Sequence, residues 1–377
     1  MTLGTEKPGI LIETKKQLEE IIPQLQNQAM IGVDTESNSL FEYEERICLI
    51  QFSTPDKDYL VDTIKLKDVS SLYEIFASKK IEKIFHAAEY DLMCLKRDFQ
   101  FEFNNIFDTM ISSRVLGFKS CSLQSLIFEY FNIKIEKKFQ RANWGIRPLP
   151  KEMILYAQHD THYLLDIRKI LYKKLVDAHK LDLAMEDFNR LTQVNPFVNN
   201  KNNDHYWKIL KGRSLTTHDE AVLKNLYFFR ETLAKQLNRP PFKVFGNQVI
   251  LDLVKTAPKN ETQLKEIRGL SEKIIQNYGH EILNAISSVT KKTSTLRKEK
   301  AKPSAQYLSR YEALKEWRKN KAKELCVESD IVLPKEHLEL IAHQKKCELS
   351  DIQEIMNDIP YRFTKFGNEI YLVLERS

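Results

Sequence analysis

The spacing of hydrophobic positions changes once along this chain. Up to about residue 90 the apolar residues come in short runs separated by polar turns: Ala29–Glu36 (AMIGVDTE), Arg46–Phe52 (RICLIQF), Tyr59–Val61 and Lys83–His86. Runs of this length, rich in β-branched and aromatic residues, predict strands, with helices beginning only afterwards. From Glu89 onward the spacing becomes three and four, and the longest predicted helices are Ser122–Phe131 and Lys151–Ala178. A meander of strands followed by helices predicts an α/β domain with a mixed sheet, ending near residue 190. Thr192–Asp204 (TQVNPFVNNKNND) is rich in Asn, contains a Pro and has no period, so it predicts a linker.

Beyond that linker the pattern is helical and repeats itself. A shift of 88 positions carries Phe229-Arg230 onto Trp317-Arg318, Ala234 onto Ala322, Leu237 onto Leu325 and Val244 onto Val332. The same shift takes Leu253 to Ile341, Leu264 to Ile352, Ile267 to Ile355 and Gly279-His280-Glu281-Ile282 to Gly367-Asn368-Glu369-Ile370. Similarity at a fixed offset, concentrated at apolar and Gly positions, predicts two copies of one all-α module. Between them, Ser287–Gln306 is basic and Ser/Thr/Lys-rich, the composition of a flexible linker. Three domains are expected, at 1–191, 205–288 and 305–377.

Composition narrows the class. With 42% hydrophobic and 29% charged residues the chain is globular. No run of about 18 apolar residues is present to span a membrane. The N-terminus lacks the basic and apolar segments of a signal peptide. Five cysteines, far apart and never in a CxxC pair, argue against both a disulfide framework and a zinc site, so a reducing cytoplasm is expected. The net charge of +6 is uneven: residues 1–200 hold 26 Lys and Arg against 29 Asp and Glu, residues 201–377 hold 32 against 23. A basic half beside a neutral one fits a nucleic-acid enzyme, and it equally fits an ordinary solvated surface.

Three segments place acids where packing alone would not. In Ala29–Glu36, alternation puts Asp34 and Glu36 side by side on one strand face. Like charges there repel unless a cation sits between them. In Lys151–Ala178 the apolar seam runs Met153, Ala157, position 160, Leu164, Ile167, Leu171, Leu175. Asp160 stands where a core residue is due, with Tyr156 one turn before it on the same face. The alternative is that Asp160 marks a junction between two shorter helices. In Ile84–Leu95 (IFHAAEYDLMCL), Asp91 shares an inward stripe with Ala88 and Leu95, or complements the helix dipole from the first turn. Four converging carboxylates suit two hard divalent cations, which together promote in-line hydrolysis of a phosphodiester. No P-loop, HExxH, GxSxG or dinucleotide motif competes.

Asp34-x-Glu36, His86-x4-Asp91 and Tyr156-x3-Asp160 resemble the three exonuclease motifs of the DEDD superfamily, and the tyrosine marks its DEDDy branch, since Leu155 stands where the other branch has His. LIQFST (Leu49–Thr54), FDTMISSRVLG (Phe107–Gly117) and WGIRPLP (Trp144–Pro150) look like ribonuclease D. YGHEIL (Tyr278–Leu283) and, more loosely, FGNEIY (Phe366–Tyr371) resemble the helicase-and-RNase-D C-terminal (HRDC) domain. The resemblance covers almost the whole chain. It implies a ribonuclease H-like exonuclease domain followed by two HRDC-like domains. It also implies a 3′-5′ exoribonuclease that trims structured RNAs, tRNA precursors above all, and releases nucleoside 5′-monophosphates with two Mg2+ or Mn2+ ions. By the same resemblance Asp34, Glu36 and Asp160 hold the first metal, Asp34 bridges to a second that Asp91 supports, and Tyr156 orients the attacking water. RNA is the expected partner and a monomer the expected state.

Two rivals remain at this level: the same chemistry on DNA, and a catalytically silent RNA-binding scaffold. Among other conspicuous residues, His86 reads as structural as readily as catalytic. Trp144 and Arg147 read as RNA contacts or as loop anchors. Asp108 reads as an N-cap.

Overall fold

The computed structural model describes residues 9–196, 206–210, 215–289, 303–344 and 348–376. Both expected linkers fall largely outside these residues. The described residues gather into two compact units: one drawn from 1–36, 47–197 and 301–377, the other from 37–46 and 198–300.

The first unit is built on a six-stranded sheet in the order β1-β4-β3-β2-β5-β6. Its strands are β1 (Ile10–Ile12), β2 (Met30–Ser37), β3 (Ile47–Ser53), β4 (Asp58–Asp62), β5 (Glu82–Phe85) and β6 (Ile106–Asp108). β3 and β4 run antiparallel, while β1–β4, β2–β5 and β5–β6 are parallel, so the sheet is mixed as expected. β2 pairs with β5 only over Met30–Gly32, and its remaining residues run on past the end of β5. That overhang carries the acids.

The expectation that helices begin only at Glu89 is overturned. Lys15–Gln26 is a helix, capped by Thr14 in a reciprocal capping box with Gln17 and burying Leu18, Ile21 and Leu25. The three-and-four spacing and the Thr-x-x-Gln start signal were both in the sequence. The long helix expected over 151–178 is two helices, Lys151–His162 and Leu164–Asp177, broken at Tyr163. Its apolar seam nonetheless stays buried across the break, from Met153 and Ala157 to Leu164, Ile167, Leu171 and Leu175.

The 88-residue repeat extends to single hydrogen bonds. Arg230 donates to the Phe245 carbonyl, and Arg318, its counterpart, donates to Leu333, the counterpart of Phe245. Each long first helix ends in a left-handed residue, Asn238 or Cys326. The next amide then bonds back five residues, Arg239 to Ala234 and Val327 to Ala322.

The copies differ in company. The first packs its own core of Leu226, Leu233, Ile250, Leu253, Leu264 and Ile282. Within that unit it holds the segment 37–46: Tyr43 O–H donates to Glu231 at 3.4 Å, and Lys243 Nζ lies 3.8 Å from the Phe41 ring centre. The second copy belongs to the unit of the sheet. Its Arg362, fully buried, donates to Glu186 Oε2 at 2.5 Å, to Asp187 Oδ2 at 2.7 Å and to the Ile331 carbonyl at 2.9 Å. Arg190 on the sheet side reaches Glu336 and Asp358, and Arg114 pairs with Glu328 and Asp330.

Candidate active site

β2 presents Gly32, Asp34 and Glu36 on one face by simple alternation. The helix Lys151–His162 lies against that face. A Cβ built on Gly32 would stand 2.8 Å from the Thr161 carbonyl oxygen, so only glycine lets the backbones come this close. The result is that one carboxylate oxygen each from Asp34, Glu36 and Asp160 lie within 4.8 Å of one another.

The helix is held in place by a polar clamp. Asp58, in β4, accepts from Ser53 Oγ at 2.5 Å and from Gln158 Nε2 at 2.7 Å, and lies 2.8 Å from His162 Nδ1. Ser53 Oγ is also 2.6 Å from Thr161 Oγ1. Burial pushes the Asp58 carboxyl up, but the hydrogen bonds from His162, Ser53 and Gln158 outweigh it and leave the group below the usual range. The clamp grips the helix at positions 158, 161 and 162, on either side of Asp160.

Asp91 enters from the first turn of the helix Glu89–Phe99. The β5-to-helix turn that delivers it has Ala87 at φ +66°, a left-handed conformation that strains a residue with a Cβ. Asp108, fully buried, accepts from Ala88 N at 2.7 Å and caps the next helix through Ile111 N at 2.9 Å. The N-cap reading of Asp108 is therefore right, and the same carboxylate pins the strained turn. His86 Nδ1 lies 2.9 Å from Thr109 Oγ1, and burial pushes the imidazole down to about 4, a neutral ring in a structural setting. Asp91 stands beside the close trio of acids, with one oxygen held by the Thr35 hydroxyl.

The acids are half-buried, yet desolvation is the largest influence on each; neighbouring carboxylates reinforce it at Asp34, Glu36 and Asp160, while hydrogen bonds from Thr35 oppose it at Asp91. Asp34 is raised well above the ordinary range by burial and then by Asp91, Asp160 and Glu36; Glu36 is raised by burial, Asp160 and Asp91. Burial pushes Asp91 and Asp160 up to about 7. The charges acting most strongly on Asp34 are thus other carboxylates, the situation that a divalent cation with oxygen ligands relieves. The donor set fits magnesium or manganese. Tyr156 is 8% exposed, and burial followed by Asp160, Glu36 and Asp34 raises its phenol, so it stays a neutral hydrogen-bonding hydroxyl.

The sequence singled out all five of these residues, and the fold brings them to one end of β2. It did not single out Gly32, although a glycine inside a strand, two positions from an acid on the same face, signals a close approach. Nothing in the sequence linked Asp58 to Gln158, a hundred residues apart. Trp144 is 1% exposed, and Arg147 is taken up by Asp62 at 2.6 and 2.8 Å together with the carbonyls of Cys48, Trp144 and Ile146. Both are loop anchors. Among the described residues no helix is long and apolar enough to cross a membrane.

A family model described as 3′-5′ exonuclease matches residues 10–176, and the HRDC domain model matches twice, over 219–286 and 308–374. The chain is 32% identical over 284 residues to the exosome complex exonuclease RRP6 of Saccharomyces cerevisiae, covering 71% of this chain and 39% of the yeast protein. It is 27% identical over 284 residues to ribonuclease D of Desulfotalea psychrophila, covering 75% of this chain and 76% of that protein. The crystal structure of Escherichia coli RNase D, an exoribonuclease involved in structured RNA processing, aligns over 98% of this chain and 99% of its own. The TM-score is 0.71 and the identity 19%, a likeness of fold alone. The chain spans less than half the length of the RRP6-type relatives it matches.

Proposed function

We propose that this chain, which belongs to the ribonuclease D and RRP6 family of 3′-5′ exonuclease proteins with HRDC domains, hydrolyses RNA one nucleotide at a time from a 3′-hydroxyl end. The observation that carries the reading is the meeting of Asp34, Glu36 and Asp160 within 4.8 Å, with Asp91 and Tyr156 beside them. In this reading Asp34, Glu36 and Asp160 hold one divalent cation, and Asp34 also faces a second that Asp91 supports. Bound there, magnesium or manganese supplies charge stabilisation at the scissile phosphate and favours attack by water. The neutral Tyr156 hydroxyl orients the attacking water, a positioning role. Oxygen from water bonds to phosphorus, the P–O3′ bond of the penultimate nucleotide breaks, and a nucleoside 5′-monophosphate leaves.

The substrate class is structured RNA with a 3′ tail, tRNA precursors included, and the setting is a reducing cytoplasm with the chain acting as a monomer. The division at 1–191, 205–288 and 305–377 belongs to the same reading, the basic first module being the additional grip on RNA. The test is to incubate the protein with 3′-tailed tRNA and a matched single-stranded DNA, in magnesium and in chelator. Stepwise release of 5′-monophosphates from RNA in magnesium alone is expected. Equal turnover of DNA moves the substrate class, and undiminished turnover by Asp34→Ala in magnesium sinks the assignment.

A further inference from the structure

Residues 133–142 connect the helix Leu123–Phe131 to the Trp144 loop and have two unlike sides. Ile133 and Ile135 pack on the core that contains Leu126 and Leu171. Phe139 and Ala142 pack on the cluster that contains Trp144 and Tyr156. Between these anchors Lys134, Glu136, Lys137, Lys138, Gln140 and Arg141 are exposed. Hydrogen bonds from Gln140 N to the Lys137 carbonyl at 3.3 Å and from Ala142 N to Phe139 at 2.9 Å fold the stretch into a turn.

Two observations tie this turn to the acids. The Phe139 ring meets the Tyr156 ring edge-on, with centres 5.9 Å apart and planes at 72°, and Lys138 Nζ lies 5.1 Å from the Phe139 ring centre. Among the described residues, Lys134, Lys137, Lys138 and Arg141 form no ion pair with an acid, whereas Arg147, a few residues on, is wholly taken up by Asp62 and nearby carbonyls. These unpaired cations sit on the turn whose Phe139 packs against Tyr156, next to the acids. Fixed positive charge beside the site attracts the phosphates of an approaching polyanion.

We propose that the turn Lys134–Ala142 holds the phosphates of the substrate strand through Lys137, Lys138 and Arg141 and, through Phe139, sets the orientation of Tyr156. The proposal rests on the exonuclease reading above and adds to it the surface that receives the strand and a positioning residue for Tyr156. Phe139 touches no substrate atom. It acts by fixing the ring whose hydroxyl orients the attacking water.

The test uses the full chain with two substrates, a single-stranded RNA of about 20 nucleotides and a ribodinucleotide too short to reach the turn, plus RNA binding measured in chelator. The triple variant Lys137→Gln/Lys138→Gln/Arg141→Gln is expected to raise KM for the long RNA about tenfold and to make the salt slope of binding shallower by about 2, at roughly 0.7 per lost phosphate contact. Its kcat and its dinucleotide hydrolysis are expected to stay at wild-type values. Phe139→Ala is expected to lower kcat on both substrates about tenfold with KM unchanged, and Phe139→Leu, which keeps the apolar contact, to recover most of that loss. An unchanged salt slope in the triple variant overturns the phosphate contact, and an unchanged kcat in Phe139→Ala overturns the coupling to Tyr156. Wild-type protein that hydrolyses neither substrate fails the exonuclease reading instead, and the salt slope in chelator still decides whether the turn holds RNA.

Discussion

Glu186, buried, and the half-buried Asp187 lie in the same compact unit as Asp34, Glu36 and Asp160, but the protein treats the two groups of acids in opposite ways. At the seam with the second helical module, burial lifts Glu186 and the Arg362 guanidinium pulls it back, with the amides of Tyr361 and Arg362 also donating to it. At the end of β2, burial lifts Asp34 and three further carboxylates lift it more. The first group is internally neutralised and serves architecture. The second is left frustrated, which destabilises the metal-free fold and prepares the site for a cation. Burial of acids alone does not separate these cases. The nearest charge does.

The largest test of that contrast is Asp160→Asn. Hydrolysis in magnesium is expected to fall at least about 10³-fold, some 4 kcal/mol of lost charge stabilisation, while the metal-free protein becomes more stable because one repelling charge is gone. Steady-state rates and chelator melts check both halves, and a variant that loses stability along with activity breaks the contrast. Arg362→Met is expected to do the reverse, costing about 3–5 kcal/mol in denaturant because buried Glu186 and half-buried Asp187 lose their partner, with kcat per folded molecule retained. Gly32→Ala should lower kcat roughly 10- to 100-fold, since the Thr161 backbone must retreat and takes Asp160 with it.

A smaller effect concerns pH. Asp91 and Asp160, both pushed up to about 7, bind protons more tightly folded than unfolded, so their contribution is complete below about pH 4 and is lost as pH rises through about 7. In chelator, Asp160→Asn should therefore melt increasingly above wild type as pH climbs through that window, and saturating magnesium should close the gap. The smallest effect is expected at Arg114, whose partners Glu328 and Asp330 are exposed: Arg114→Ala should cost no more than about 1 kcal/mol.

Much of this was legible in the residues, for reasons that differ by element. The strands at 30–37, 47–53, 58–62 and 82–85 announce themselves by apolar runs, whereas Ile10–Ile12 and Ile106–Asp108 are three residues long and too short to show a period. The helix Lys15–Gln26 is legible in its Thr-x-x-Gln start and its three-and-four spacing. The break at Tyr163 is legible only as a junction near Asp160, because an unbroken apolar seam hides a change of helix. Asp34, Glu36 and Asp160 stood out as charges on faces that were otherwise apolar. Their supports did not, since the Asp58 clamp and the contact of Phe139 with Tyr156 are set by tertiary packing between segments remote in sequence. The 88-residue repeat revealed a common interior and said nothing of Arg362, whose counterpart in the first copy is Ile274.

The seating of Arg362 also changes what counts as the smallest self-sufficient piece of this protein. A chain stopping before the second module would keep every residue of the acid cluster but present Glu186 and Asp187 to water without their guanidinium, beside the apolar surface that Ile331 and Tyr361 cover in the whole protein. Such a fragment would be prone to aggregate. A designer wanting the sheet alone would do better to rewrite positions 186 and 187 than to trim the linker.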